Sequence, residues 1–169
     1  IQNVAHLIKK TREAGHDVVV VVSAMAGETD RLLGLLRALN STPSDREYAA
    51  LLASAEQASS ALLAAALAAI GVEAQSYNAF QLQIKTNQAY RRAHVNSIDT
   101  KHLRETLKKN IIPIIAGFQG ITGSNECSTL GRGGSDITAV ALAAFLKADE
   151  CQIFTDVDGV YSADPRLVP

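Results

Sequence analysis

The sequence lacks both a cysteine framework and an excess of charge of one sign. Its two cysteines, Cys127 and Cys151, lie far apart and match neither a metal-ligand nor a redox spacing. We therefore interpret them as reduced thiols and expect a cytoplasmic protein. The formal net charge is −1, so the chain has no excess of positive charge that would attract nucleic acid or an anionic membrane. We expect neither as a partner.

Long apolar runs are also scarce. The Ala-rich stretch from Ala61 to Ile70 is too short to cross a bilayer, and the first residues do not resemble a signal peptide. Hydrophobic residues make up 47% and charged residues 20% of the chain, which is typical of a globular domain rather than a disordered one. A length of 169 residues suits one domain with a substantial core, or part of a larger one.

The beginning of the chain favours the second possibility. No initiator Met is present, and residues 1–14 already show the apolar periodicity of a helix. This helix leads directly into a predicted strand at Asp17–Ser23, although a helix in that place normally packs on an earlier strand. We therefore expect an internal fragment of a longer chain.

Helices and strands are predicted to alternate along the chain. The run Val18–Val22 is apolar on both faces, which suits a strand covered by helices on both sides. The other predicted segments are a helix around Leu32–Leu36, one or two helices over Arg46–Ile70, strands at Ala74–Tyr77, Gln83–Lys85, Ile111–Ala116 and Cys151–Thr155, helices over 99–110 and Ile137–Lys147, and a Gly-rich loop over Gly117–Gly134. This alternation predicts an α/β domain with a mainly parallel sheet.

Three predicted strands end in unusual loops, which are Ser23–Gly27, Gly117–Gly120 and Asp156–Gly159. Open parallel sheets bind ligands at the carboxyl ends of their strands. If the sheet is parallel, the three loops share one edge, and we expect a site there.

The segment Gly131–Asp136 runs directly into a helix. Glycines allow the backbone to approach a ligand closely, and the N–H groups at the start of a helix favour anions. The planar guanidinium group of Arg132 suits a carboxylate or phosphate. A plain Gly-rich turn with Ser135 or Asp136 as N-cap stays open as an alternative. A dinucleotide fingerprint would need Gly in place of Asp136, and a phosphate-binding P-loop would need Lys followed by Ser or Thr after the last Gly.

Several acidic residues also have two interpretations. Asp156 and Asp158 could hold a divalent metal, or Asp158 could be a turn residue, and the spacing lacks the other ligands of a calcium loop. Glu56 lies in an Ala-rich helix, where a buried carboxylate needs a donor such as a bound amino group; a capping or salt-bridged Glu is the alternative. The histidines show no metal spacing and are assigned to the surface.

Five motifs in order resemble those of the aspartate kinases of the amino-acid kinase family, over essentially the whole chain. They are Ser23 to Asp30, Glu56-Gln57, Gly117 to Gly120, Thr129 to Asp136, and the group formed by Thr155 to Tyr161 with Asp164 to Arg166. The resemblance implies a three-layer α/β/α fold with a mainly parallel sheet, of the carbamate kinase-like type. Residues 1–169 would then be an incomplete catalytic domain.

The resemblance also implies an activity and residue roles. The family transfers the γ-phosphoryl group of ATP, with Mg²⁺, to the side-chain carboxylate of L-aspartate, the first step toward lysine, threonine and methionine. A homo-oligomeric parent is expected. The residues implied to contact aspartate are Ser23, Thr29, Glu56 at the amino group, Phe118, Arg132 at a carboxylate, and Ser135. Asp136 would organise the catalytic groups. The residues implied to contact the nucleotide are Thr155, Asp156, Tyr161 and Arg166.

The sequence departs from the family pattern in three ways. It lacks the opening Lys-Phe-Gly-Gly-Thr-Ser segment, a later segment with a second lysine, and the regulatory domains. Ala55 stands where Gly is usual, which would crowd the substrate. We therefore expect the isolated chain to be inactive. Two alternatives stay open: a kinase of the same fold acting on glutamate, acetylglutamate, carbamate or a nucleotide monophosphate, and a non-catalytic amino-acid-binding module.

Overall fold

A computed structural model describes residues 1–155 of the chain. This range contains five helices and seven strands. The helices are α1 (Gln2–Glu13), α2 (Glu28–Leu39), α3 (Asp45–Ala69), α4 (Lys101–Lys108) and α5 (Gly134–Leu146). The strands are β1 (Val20–Val22), β2 (Ala74–Tyr77), β3 (Lys85–Thr86), β4 (Val95–Ser97), β5 (Ile112–Ala116), β6 (Gln119–Ile121) and β7 (Cys127–Thr129).

The central sheet is parallel and has the strand order β1-β5-β2. Pro113 lies in its middle strand, where a missing N–H would normally cost a ladder hydrogen bond. The N–H of Ile112 points to the β2 side and donates to Glu73 O, so the nitrogen of Pro113 faces the β1 side. Pairing with β1 begins only at Ile114, and the proline therefore interrupts no bond of that ladder.

Helices cover both faces of this sheet. On one face, α1 and α3 pack Ile8, Leu63 and Leu67 against the strands, and Val18, Val20 and Val22 point toward them. On the other face, Leu103 of α4 and Leu142 of α5 pack with Val19 and Val21. The valine run is therefore apolar on both sides because each side meets a helical layer. The predicted three-layer α/β class with a parallel sheet is confirmed.

A second sheet was not predicted. It has the order β4-β3-β6-β7, with β3 and β6 parallel and the other neighbours antiparallel. Its β6–β7 hairpin occupies the middle of the stretch predicted as one loop over Gly117–Gly134, so that prediction is wrong. The hairpin was missed because its strands have three residues each, too few for an alternating pattern to stand out.

The structure decides three further points. The region over Arg46–Ile70, predicted as one or two helices, forms one continuous 25-residue helix. Helix α2 begins after Gly27, whose φ is +77°, and no side-chain hydrogen bond caps it. Residues 151–155 are exposed and are not part of a strand, since neither of the described sheets includes them.

The expectation that no segment is long enough to cross a bilayer also needs correction. By length and composition alone, α3 passes that test, as many core helices of globular proteins do. Here α3 packs on the central sheet and buries nine of its residues, among them Glu56, Ser59 and Ser60. In this structure α3 is therefore a helix of the core.

Candidate active site

An open cavity of about 270 Å³ lies at the carboxyl ends of β1 and β5. Its walls come from the loop after β1, the middle of α3, the turn after β5 and the start of α5. The lining residues are Ser23, Ala24, Thr29, Glu56, Phe118, Gly131, Arg132, Gly133, Gly134, Ser135 and Asp136. All seven residues predicted to serve the acceptor or the chemistry are among them, although the role of each stays a prediction.

The parallel pairing of β1 and β5 brings the first two loops together. The N–H of Gly117 donates to Val22 O at 3.0 Å, which continues the ladder to the edge of the sheet. Ser23 and Phe118 follow directly, so both reach the cavity. This arrangement is the one expected where neighbouring parallel strands end side by side.

Glu56 provides the only buried carboxylate among residues 1–155, with 5% of its surface exposed. The Ala24 N–H donates to its Oε1 at 3.3 Å, whereas its Oε2 is buried and accepts no hydrogen bond from a described residue. Burial raises the pKa of Glu56 to about 7, although hydrogen bonds from its own backbone and from Ala24 lower it. A cationic donor reaching Oε2 would satisfy this oxygen and favour the charged form.

Cys127 lies near this carboxylate, against α3. Its thiol contacts Ala49 O, with sulfur and oxygen 3.8 Å apart. Burial, and secondly the negative charge of Glu56, raise the pKa of the Cys127 thiol to about 11. The thiol is therefore neutral near pH 7 and is a weak nucleophile.

The start of α5 presents unpaired backbone donors to the cavity. Gly131 and Gly133 have φ values of +81° and +71°, which bend the chain into the helix. Gly134 N–H bonds to Gly131 O, and Ile137 N–H bonds to Gly133 O. The N–H groups of Ser135 and Asp136, between them, have no acceptor within residues 1–155. Two such donors at a helix N-terminus suit an anion.

Arg132 is exposed at the cavity wall. The arginine ion pairs within residues 1–155 involve other positions, on α1, α2, α3 and the segment before β4. Its guanidinium is therefore available, as far as the described residues are concerned, for a carboxylate or phosphate of a ligand.

Phe118 adopts a backbone conformation that is unusual for an aromatic residue. Its φ is +67°, which costs on the order of 1–3 kcal/mol for a residue other than glycine. Its carbonyl accepts the N–H of Leu130 at 2.8 Å. A Cβ on Gly134 would lie 2.6 Å from the Phe118 ring, so the glycine permits the close contact between this turn and α5.

Thr155 lies apart from this first cavity. It lines a second, more open cavity of about 580 Å³ together with Phe154, Ser23 and Asp136. Ser23 and Asp136 line both cavities, so the two are adjacent. The other three predicted nucleotide contacts, which are Asp156, Tyr161 and Arg166, lie outside the described residues, as does Asp158.

Three contributors to the site were not predicted. Ala24 acts through its backbone N–H, which no side-chain pattern reveals. Gln119, the first residue of β6, is fully buried and connects this strand to α3, because its side chain donates to Ala53 O at 3.1 Å. Thr138 is also fully buried, below Phe118. A polar residue within an apolar segment was the available signal for the last two.

Ala55 does not crowd this cavity. Its methyl group is buried in a core cluster with Leu32 and Leu52 and is not part of the cavity lining. The structure therefore gives no support to the predicted crowding of a substrate by Ala55. The four histidines are exposed, as predicted.

Comparisons with known proteins agree with one another. Residues 1–169 match the model of the Amino acid kinase family. An aspartokinase of Pseudomonas aeruginosa is 54% identical over 169 residues. That alignment covers all of this chain and 41% of the relative, so the chain spans well under half the length of that protein.

Solved structures give the same result. An aspartate kinase from Synechocystis superposes with a TM-score of 0.77 at 44% identity, covering 99% of this chain and 28% of that one. E. coli aspartokinase III, in a complex with aspartate and ADP, superposes with a TM-score of 0.68 at 30% identity, covering 82% of this chain and 32% of that one.

Proposed function

Since this chain belongs to the amino acid kinase family, we propose that the protein carrying it transfers the γ-phosphoryl group of ATP to the side-chain carboxylate of L-aspartate. The product is 4-phospho-L-aspartate, the first intermediate toward lysine, threonine and methionine. Relatives named aspartokinase at about half identity support this substrate.

One observation carries the proposal: Glu56 and Arg132 line the same small cavity. Glu56 has a buried, unpartnered Oε2, which suits the ammonium group of an amino acid. Arg132 suits a carboxylate, which it binds through two parallel N–H···O bonds. A cavity of about 270 Å³ with these two groups matches a small amino acid that has a free amino group.

The reaction needs positioning and charge neutralisation more than covalent help. An oxygen of the aspartate side chain forms the new bond to the γ-phosphorus while the bond from that phosphorus to the β,γ-bridging oxygen breaks, and ADP leaves with the electron pair. The free N–H groups of Ser135 and Asp136 stabilise negative charge between the reactants. The Asp136 carboxylate orients donors and is not a nucleophile.

The nucleotide occupies the second cavity in this proposal, with Thr155 as a contact and Asp156, Tyr161 and Arg166 as further predicted contacts. Within residues 1–155 no three His, Cys, Asp or Glu side chains form a metal site. Mg²⁺ is commonly held by one or two carboxylates and the phosphates of its nucleotide. Asp136, which lines both cavities, fits a Mg²⁺ ion that enters bound to ATP.

The test is aspartyl phosphate formation by the full-length protein that contains this sequence, measured by trapping the acyl phosphate with hydroxylamine. L-aspartate, L-glutamate, N-acetyl-L-glutamate and carbamate are compared at equal concentration. We expect turnover with L-aspartate well above N-acetyl-L-glutamate and carbamate, because these offer no ammonium group to Glu56. It should also exceed turnover with L-glutamate, whose side-chain carboxylate lies one methylene group farther from the amino group. A preference for any other acceptor would reject the proposal.

The remaining expectations for the full-length protein belong to the same proposal. It would act in the cytoplasm as a homo-oligomer, without nucleic acid or membrane as a partner. Subcellular fractionation and the mass of the purified protein in solution test these statements directly.

A further inference from the structure

Thr138 lies beneath the cavity, on the buried face of α5, with no exposed surface. Its hydroxyl donates to Gly134 O at 2.9 Å and accepts the N–H of Phe118 at 3.1 Å. A hydroxyl has one hydrogen to donate and lone pairs to accept, so one group satisfies both bonds. Thr138 does not line the cavity itself.

The two partners of this hydroxyl lie on two different walls of the cavity. Phe118 belongs to the turn after β5, and Gly134 belongs to the first turn of α5. Both residues line the cavity, and they are in contact with each other, since an added Cβ on Gly134 would lie 3.2 Å from the Phe118 Cα. The hydroxyl therefore joins the two walls from below.

The joined segment is also the strained one. Phe118 holds φ at +67°, and such a conformation persists only where the surroundings determine it. Its carbonyl is held by Leu130 N–H, and its N–H is held by Thr138 alone among the described residues. Without the hydroxyl, a half-buried N–H would lose its partner while the strain remained.

We propose that Thr138 is a positioning residue that sets the distance between Phe118 and the start of α5, and thereby the fit of the acceptor amino acid. The inference rests on the proposed function, because it concerns the same cavity. Removal of the hydroxyl leaves the Phe118 N–H unsatisfied, and the turn relaxes away from Gly134. The acceptor side of the site is altered, whereas the second cavity, which Thr138 does not adjoin, keeps its lining.

The test uses Thr138→Val, which replaces the hydroxyl by a methyl group of similar size, and Thr138→Ser, which keeps the hydroxyl. Both are made in the full-length protein. Thr106→Val is the matched control, because the Thr106 hydroxyl also donates to the carbonyl four residues earlier, His102 O, and bonds a second partner, Tyr77. Thr106 is also buried, with 6% of its surface exposed, and lies on α4 outside the cavity lining.

We expect Thr138→Val to raise the KM for L-aspartate roughly 10-fold, because this is the effect of leaving one buried donor, the Phe118 N–H, without an acceptor. The KM for ATP should stay within about twofold, and Thr138→Ser should stay close to wild type. Thr106→Val should lower the unfolding temperature without changing either KM. Hydrogen exchange of the peptide containing Phe118 should accelerate in Thr138→Val and not in Thr138→Ser.

The inference is overturned if Thr138→Val leaves the KM for L-aspartate unchanged, or if Thr106→Val raises it equally. Should Thr138→Val not fold, Thr138→Ser and Thr138→Ala replace it, and equal KM values for that pair overturn the inference. Absence of aspartyl phosphate formation by the wild-type protein would instead reject the proposed function, and the inference about the acceptor would fall with it.

Discussion

The backbone N–H of Ala24 donates a hydrogen bond to Oε1 of Glu56 at 3.3 Å, and this bond joins the loop after β1 to the middle of α3. The two residues are 32 positions apart in the sequence. The bond fixes one carboxylate oxygen and leaves the other, Oε2, buried and without a partner among residues 1–155. Glu56 is thus held in place by the fold while half of its hydrogen-bonding capacity stays available.

Replacement of Glu56 by Gln should weaken acceptor binding. The substitution keeps the size of the side chain but removes the negative charge that would pair with an ammonium group. We expect the KM for L-aspartate to rise on the order of 10- to 100-fold, as for a lost charge-assisted hydrogen bond. Glu47→Gln, an exposed position on the same helix, is the control, and an equal effect of the two variants would contradict the assigned role.

The pH dependence of stability should also report on Glu56. Burial raises its pKa from 4.5 to about 7, so between these values the folded protein binds a proton that the unfolded chain does not. Stability from this group therefore falls as pH rises from about 4.5 to about 7 and is level above that range. Unfolding temperatures of wild type and Glu56→Gln, measured from pH 4.5 to 8, should show this slope only in wild type.

Arg132→Ala should act mainly on the acceptor. With the guanidinium removed, we expect the KM for L-aspartate to rise roughly 10- to 100-fold and the KM for ATP to change by less than about twofold. Arg132→Lys should recover only part of the loss, because an ammonium group cannot form two parallel hydrogen bonds to a carboxylate. An unchanged KM for L-aspartate would count against the role, and Arg37→Ala, exposed on α2, serves as the control.

Two glycine-to-alanine substitutions should have opposite effects on stability. A Cβ on Gly134 would lie 2.6 Å from the Phe118 ring and 3.2 Å from both Phe118 Cα and Leu130 Cβ, so backbone must shift. We expect Gly134→Ala to lower the free energy of unfolding by about 1–3 kcal/mol and to reduce activity. Gly34, within α2, has nothing within 4 Å of an added Cβ.

Gly34→Ala should therefore stabilise the protein by about 0.5–1 kcal/mol, through the helix preference of alanine. Urea unfolding of both variants beside wild type measures the pair. A Gly134→Ala variant as stable as wild type would show that the close contact between the turn after β5 and α5 contributes little to stability.

Much of the central layer was predictable because its signals are local. The valine run before Ser23 is apolar on both faces, and the strand at Ala74–Tyr77 has the predicted bounds. The predicted site residues from Ser23 to Asp136 also meet, since the ends of neighbouring parallel strands share one edge. Their order along the chain, and the resemblance of their motifs to a family, were sufficient to group them.

The elements that were missed depend on partners distant in sequence. The β6–β7 hairpin has strands of three residues, which become a sheet only by pairing with β3. Residues 151–155 have the composition of a strand but belong to neither of the described sheets. Glu56 could be interpreted as a capping or salt-bridged residue or as a ligand group. Its place in the middle of α3 excludes a cap, and its Oε2 has no partner among residues 1–155, while its role as a ligand group stays a prediction.

The sequence by itself determined the α/β class and the double-sided burial of the valine run, and it provided the candidate groups for binding an amino acid, because periodicity and side-chain chemistry are properties of short segments. Only the tertiary structure decided which oxygen of Glu56 stays unpartnered, and that a single hydroxyl, on Thr138, joins two walls of the cavity. Such features arise when segments far apart in the chain pack together, and no local pattern encodes the distances between them.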